Sequence, residues 1–122
     1  MNAKMEMKQE NCWITVCSLD DLVLNSGICV LHEGKQVAIF QLENCANLFA
    51  IDNFDPFSQA NVLSRGIVGS VQDTKVVASP IYKQHFCLES GQCMEDAEVS
   101  IDVYRVRIFE DKVQLASSTA NP

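Results

Sequence analysis

The apolar positions of this chain fall in short runs between closely spaced polar turns. Cys12-Trp13-Ile14-Thr15-Val16-Cys17 is β-branched and aromatic, which predicts a strand. Ser18-Leu19-Asp20-Asp21 reads as a short helix start, with Ser18 as cap and the acids in the first turn, and Asn25-Ser26-Gly27 stops it. Ile28 to His32 and Gln36 to Leu42 predict a hairpin about Glu33-Gly34-Lys35, where Gly34 is available for a positive φ. A turn from Glu43 to Asn47 leads to a fourth strand, Leu48 to Asp52. Ile67 to Val71 and Lys75 to Ala78 flank a polar turn at Gln72-Asp73-Thr74, and Phe86-Cys87-Leu88 is a strand fragment before Glu89-Ser90-Gly91-Gln92. Cys93 to Ser100 is acidic and irregular. Ile101 to Phe109 alternates apolar and polar positions, the pattern of a half-buried strand, and turns at Glu110-Asp111 into Val113 to Ala116.

About nine short strands and one short helix predict an all-β fold, with antiparallel meanders closing into a sandwich or small barrel. The predicted organisation is a flexible, polar N-terminal arm over residues 1–10, one domain over 11–117 and a frayed tail over 118–122. Within the domain, residues 48–92 form an inserted subdomain. It holds two loops of similar design. The first runs from Asn53 through Pro56 and Phe57 to Gly66; the second runs from Ala78 through Pro80, Ile81 and Tyr82 to Gly91. Each has a Pro near its start, an aromatic residue one or two positions later and a Gly near its end. Paired Pro loops on a β scaffold suit a clamp for a metal cluster.

A length of 122 residues fits one domain with a single core. The formal net charge of -7, with no clustered cations, argues against nucleic acid and anionic membrane as partners. No apolar run reaches the ~18 residues of a membrane span. Met1 to Glu10 lacks the apolar core of a signal peptide, so the expected location is cytoplasmic. The six cysteines include no C-x-x-C pair and no zinc-like array, and in a reducing compartment they read as free thiols. Cys87 and Cys93 flank the Gly91 turn and could approach each other.

At the two loops the sequence resembles the Rieske iron–sulfur fold, in which two Cys hold one iron and two His the other. A Rieske loop of the form Cys-Pro-x-His-Gly-x-x-Phe-x-x-x-x-Gly aligns without a gap onto Ser79 to Gly91, keeping Pro80, Phe86 and Gly91; Cys-Pro-His aligns onto Asp55-Pro56-Phe57. The resemblance puts Asp55 and Ser79 at the cysteine positions and Phe57 and Tyr82 at the histidine positions. Hard oxygen atoms are poor partners for a thiolate-held cluster, and Phe57 has no lone pair, so these four are vestigial ligand positions. His85 lies three residues past the expected ligand place and reads as an exposed or hydrogen-bonded loop histidine. His32 has no visible metal partner.

A longer resemblance covers nearly the whole chain. Asp55-Pro56-Phe57-Ser58 with Ala60-Asn61-Val62-Leu63-Ser64-Arg65-Gly66, and Ala78 to Phe86, are similar to the small subunit of bacterial NAD(P)H-dependent, siroheme-type nitrite reductase. So are Trp13, Val16-Cys17 and Leu19-Asp20-Asp21-Leu22 early on, and Cys93, Glu95-Asp96, Val103-Tyr104 and Val106-Arg107 later. That family is itself Rieske-like without cluster ligands. The resemblance implies a cytoplasmic complex that reduces nitrite to ammonium, with FAD, an iron–sulfur cluster and siroheme in the large subunit. This chain shows no G-x-G-x-x-G and no P-loop, so no catalytic, cofactor-binding or metal-binding residue is expected in it. The expectation is an accessory subunit that docks on the large one through Tyr82, Lys83, Gln84 and His85. Phe57 either fills the former cluster space or projects, and Arg65 pairs either with a carboxylate across the interface or, the preferred reading, internally with Asp55. Two alternatives belong to other classes: a Rieske-type ferredoxin, which needs the missing ligands, and a free-standing β-sandwich protein-binding module, which the long motif match disfavours.

Overall fold

The computed structural model describes residues 12–43 and 45–117. The predicted arm over 1–10 and tail over 118–122 lie outside the described residues. Strand β1, Trp13–Ser18, leads into a 3₁₀ turn, Leu19–Asp21. Ser18 and Asp21 form a reciprocal cap, Ser18 N donating to Asp21 Oδ2 at 2.9 Å. The predicted helix is thus a single 3₁₀ turn. Strands β2, Ser26–His32, and β3, Lys35–Gln41, form the expected hairpin, with Glu33 at φ 52° and Gly34 at φ 82°. Both positive values are the signature of a two-residue type I′ turn. Strand β4, Phe49–Asp52, pairs with β3.

The first loop has regular structure of its own. It contains a small ribbon, β5, Phe54–Asp55, against β6, Ala60–Asn61, and a 3₁₀ turn at Leu63–Arg65. Strands β7, Ile67–Val71, β8, Thr74–Ala78, and β9, His85–Cys87, build a sheet in that order. The second loop joins β8 to β9. Strands β10, Val106–Phe109, and β11, Lys112–Ala116, pair with β1 in the order β1-β11-β10.

The sheet β2-β3-β4 is the middle layer, and β3 explains why. Val37, Ala38, Ile39 and Phe40 are all completely buried. Side chains alternate across a strand, so this run must face two cores. Val37 and Ile39 pack with Leu48, Ala50, Val113 and Leu115, toward the sheet β1-β11-β10. Ala38 and Phe40 pack with Ile51, Leu63, Val77, Phe86 and Leu88, toward the sheet β7-β8-β9. The result is an all-β, layered Rieske-like arrangement, with no closed barrel among the described residues.

The strand expected over Ile101 to Phe109 is half right: only Val106–Phe109 is a strand. The segment before it ties different elements together. Ile101 N donates to Gly91 O, Asp52 N to Asp102 O and Tyr104 N to Ala50 O. Alternation there records a path between two layers, not a ladder. Tyr104 latches it by donating its hydroxyl to Asp52 Oδ1 at 2.5 Å, and Lys35 Nζ lies 3.4 Å from the same carboxylate oxygen. Burial, then the hydrogen bond to Asp52, raises the Tyr104 phenol to about 12.

Candidate functional site

The first loop joins β4 to β7 and the second joins β8 to β9, and both open in the same way. In the first, Asp55 Oδ1 accepts from Phe57 N at 2.9 Å, and Gln59 N donates to Asp55 O at 2.7 Å. In the second, Ser79 Oγ accepts from Ile81 N at 3.3 Å, and Lys83 N donates to Ser79 O at 3.1 Å. Both turns close on a left-handed residue at the same offset, Gln59 at φ 59° and Lys83 at φ 71°. Proline after the capping side chain fixes the next φ and removes a donor that the turn does not need. The similarity read from the sequence is therefore a similarity of main-chain hydrogen bonding.

Each loop ends on a glycine with a steric reason. A Cβ on Gly66 would collide with the carbonyl oxygen of Ala78, where the second loop begins. Gly91 sits at φ 82°, and a Cβ there would collide with the carbonyl oxygen of Ile101.

The two cysteine positions meet. Asp55 and Ser79 are both buried, 0% and 1% exposed, and Ser79 Oγ donates to Asp55 Oδ2 at 2.5 Å. Ser58 Oγ donates to the same oxygen at 2.9 Å. With the Phe57 N–H, the Asp55 carboxylate accepts three hydrogen bonds, and both of its oxygens are engaged. No ion pair joins Arg65 to Asp55 among the described residues, and Arg65 is exposed. The internal pair is not formed: Phe57 N, Ser58 Oγ and Ser79 Oγ already engage both oxygens of the buried carboxylate, and Arg65 faces solvent.

The histidine positions diverge. Phe57 is half-buried against the core, 6.2 Å from the Phe86 ring, so it fills space under the loops. Tyr82 is 60% exposed and projects with Ile81 and Lys83. Gln84 and His85, also predicted for docking, are half turned inward. Gln84 Oε1 is buried without a hydrogen-bond partner among the described residues. His85 Nδ1 lies 2.6 Å from Glu95 Oε2, and its main-chain N–H donates to Glu95 Oε1 at 2.8 Å. Partial burial would raise the Glu95 carboxyl, but the hydrogen bonds and charge of His85 outweigh it and hold the carboxyl below its ordinary range.

Three residues that shape the site were missed in the sequence. Asn53, buried, accepts from Ser64 N at 2.7 Å and donates to Gln36 Oε1 at 3.0 Å, closing the first loop onto β3. Gln92 Nε2 reaches the carbonyls of Asp96, Ala97 and Val99 and gathers the acidic segment. Glu95 is the third. Asn53 opens the first loop, Gln92 follows the Gly91 turn and Glu95 lies in a motif shared with the family, but none of these signals names the hydrogen-bond partner. His32, read as having no metal partner, is buried with Nε2 3.1 Å from Ala116 O. The described cysteines are free thiols, Cys87 and Cys93 included.

A [2Fe-2S] cluster does not fit these positions. The Asp55 and Ser79 oxygens bind each other, Phe57 packs on carbon, and Tyr82 points outward. Among the described residues no group of three His, Cys, Asp or Glu is placed to hold a metal ion.

Fold and loops together define a Rieske-like domain whose ligand positions are refilled, and the profile of the Rieske-like [2Fe-2S] domain matches residues 12–116. The chain is 45% identical over 103 residues to the nitrite reductase (NADH) small subunit of Salmonella typhimurium, covering 84% of this chain and 95% of that one. It superposes with a TM-score of 0.80 on a structure described as a putative NADH-dependent nitrite reductase small subunit from Mycobacterium tuberculosis, at 44% identity over 84% of this chain and 92% of that one. A nitrite reductase [NAD(P)H] large subunit of Klebsiella oxytoca is 34% identical over 101 residues, which are 83% of this chain and 10% of that protein. The chain belongs to the family of NAD(P)H nitrite reductase small subunits.

Proposed function

We propose that this chain is the accessory subunit of a cytoplasmic NAD(P)H-dependent nitrite reductase. It docks on the large subunit and supports the reduction of nitrite to ammonium there, without chemistry of its own. FAD, an iron–sulfur cluster and siroheme belong to the large subunit in this reading, because multi-electron chemistry is the work of cofactors. The docking face is the pair of loop tips, with Tyr82 and Lys83 projecting and Gln84 and His85 behind them.

The observation that carries the reading is the Asp55–Ser79 hydrogen bond between the loops at 2.5 Å. It holds two Pro loops in a fixed relation with no cluster between them, and a rigid tip without redox chemistry is suited to recognition. The Klebsiella oxytoca protein supports it further: a segment similar to this chain forms part of a large-subunit polypeptide. Two units that are one chain in one organism are natural partners when encoded apart. Among the described residues no helix is long and apolar enough to cross a membrane.

The test is reconstitution. Large subunit purified with and without this chain is assayed for nitrite-dependent NADH oxidation, and recovery of the large subunit on the tagged chain is measured. Co-recovery and a higher rate with the chain present are expected. A chain that neither retains the large subunit nor alters its rate would sink the proposal.

A further inference from the structure

The sheet β7-β8-β9 ends on β7, and nothing described pairs with its outer side. The register shows which groups face outward. Gln72 and Asp73 both have positive φ, so Val71 and Thr74 close a two-residue type I′ hairpin as a hydrogen-bonded pair. Hydrogen-bonded and non-hydrogen-bonded pairs alternate from there. Gly69 with Val76 and Ile67 with Ala78 are then bonded, while Ser70 with Lys75 and Val68 with Val77 are not. Lys75 O accepts from Leu88 N, on the opposite side of β8, as this alternation requires. The N–H and C=O of Val68 and Ser70 therefore point away from β8, and among the described residues none bonds to them.

The edge also lacks the usual protection. Sheet edges are blunted by charge, proline or a bulge. From Ile67 to Val71 there is no charge and no proline, and the register is unbroken. Ile67 is 71% exposed, and a Cβ on Gly69 would meet nothing. A groove of about 490 Å³ runs beside Gly66 to Ser70, with Asn25, Leu42, Glu43 and, from β8, Lys75 completing its lining. Asn25 and Glu43 bond to each other, Glu43 N donating to Asn25 Oδ1 at 2.9 Å, so that side of the groove is set.

We infer that β7 receives an extended, uncharged segment of the large subunit as an added strand. The inference rests on the docking reading above. Unpaired main-chain donors and acceptors along an uncharged strand are complementary to another extended main chain. One added strand of five residues buries far less than the roughly 1,200 Å² of a stable specific complex, so the edge alone does not hold a second copy of this chain. It serves as the flank of a larger contact, and the proposed one is adjacent: Ile67 pairs with Ala78, the residue before Ser79. The Ile67 end of β7 therefore lies at the base of the second loop, where a segment docked on the loops can continue along the edge.

Quenched amide hydrogen exchange of the full chain, alone and bound to the large subunit, tests this. Exchange at Val68 and Ser70 is expected to be fast in the free chain and slowed about tenfold or more in the complex. Ser70→Pro removes an outward N–H without touching the ladder to β8, and Ile67→Lys puts a charge on the edge. Each is expected to weaken large-subunit affinity about tenfold, with the thermal midpoint of the free chain unchanged, whereas Ser70→Ala keeps affinity. Protection at Tyr82 to His85 without protection at Val68 and Ser70 would overturn the added strand and leave the docking reading standing. Failure of any complex to form would remove both. Protection of β7 that grows with concentration of the free chain would assign the edge to a second copy and overturn the inference.

Discussion

Replacing Ser79 with alanine removes the hydroxyl that ties the second loop to the first. The bond spans 2.5 Å between two completely or nearly completely buried groups. A hydrogen bond to a carboxylate contributes about 1.5–3 kcal/mol, and this one is buried. Asp55 keeps two of its three donors, Phe57 N and Ser58 Oγ, so the loss for Ser79→Ala is set at about 2 kcal/mol. Asp55→Ala removes the acceptor from all three donors at once and is expected to cost about 3–5 kcal/mol. Urea unfolding with a slope of about 2 kcal/mol/M would show Ser79→Ala as a midpoint lowered by about 1 M with the slope unchanged. The double variant separates the cross-loop bond from the local turn, since the coupling of Asp55→Ala with Ser79→Ala isolates the shared term. A coupling of about 1.5 kcal/mol or more is expected; one below about 0.5 kcal/mol would refute the claim that this pair replaces the cluster as the tie between loops.

Three further outcomes follow from other parts of the fold. Gly91→Ala combines a left-handed penalty of about 1 kcal/mol with displacement of the Ile101 carbonyl, and should lower stability by at least about 2 kcal/mol in calorimetry. Tyr104 contributes stability that is fully present below pH 10, its ordinary value being 10.0, and is lost as pH rises through about 12. Tyr104→Phe should flatten that alkaline limb in urea titrations run from pH 9 upward and cost about 1.5 kcal/mol at neutral pH. Glu95, pushed up by burial but held below its ordinary 4.5 by the hydrogen bonds and charge of His85 together, contributes stability present above pH 4.5 and lost as pH falls below it. Glu95→Gln should remove part of the acid-side decline, and a decline of unchanged size would show that the contact is idle.

The strands were legible where one physical pattern dominated. Val37 to Phe40 is a continuous apolar run because β3 faces two cores, and the polar dipeptides Glu33-Gly34, Gln72-Asp73 and Glu110-Asp111 all became turns with two positive φ values. Ile101 to Arg105 was misread as ladder because its apolar residues serve two different layers, which alternation alone does not distinguish. At the site, the resemblance located four positions but not their relation. Asp55 and Ser79 are 24 residues apart, and each looks like an unremarkable turn residue; only the folded loops reveal them as one hydrogen-bonded pair. Charge alone pairs Arg65 with Asp55, but donors from both loops already engage the carboxylate. His85 was read as a hydrogen-bonded loop histidine, and its partner Glu95 lay in a segment with no period to place it.

The affinity of the large subunit for this chain, measured by titration calorimetry with wild type against Tyr82→Ala combined with Lys83→Glu, tests the central claim most directly. Tyr82 is 60% exposed and Lys83 is exposed, and neither side chain contributes to the buried core. The account predicts a loss of at least about tenfold in affinity, with the unfolding midpoint of the free chain unchanged. Equal affinities for wild type and variant would contradict it, because two vestigial cluster loops would then present no surface to the partner.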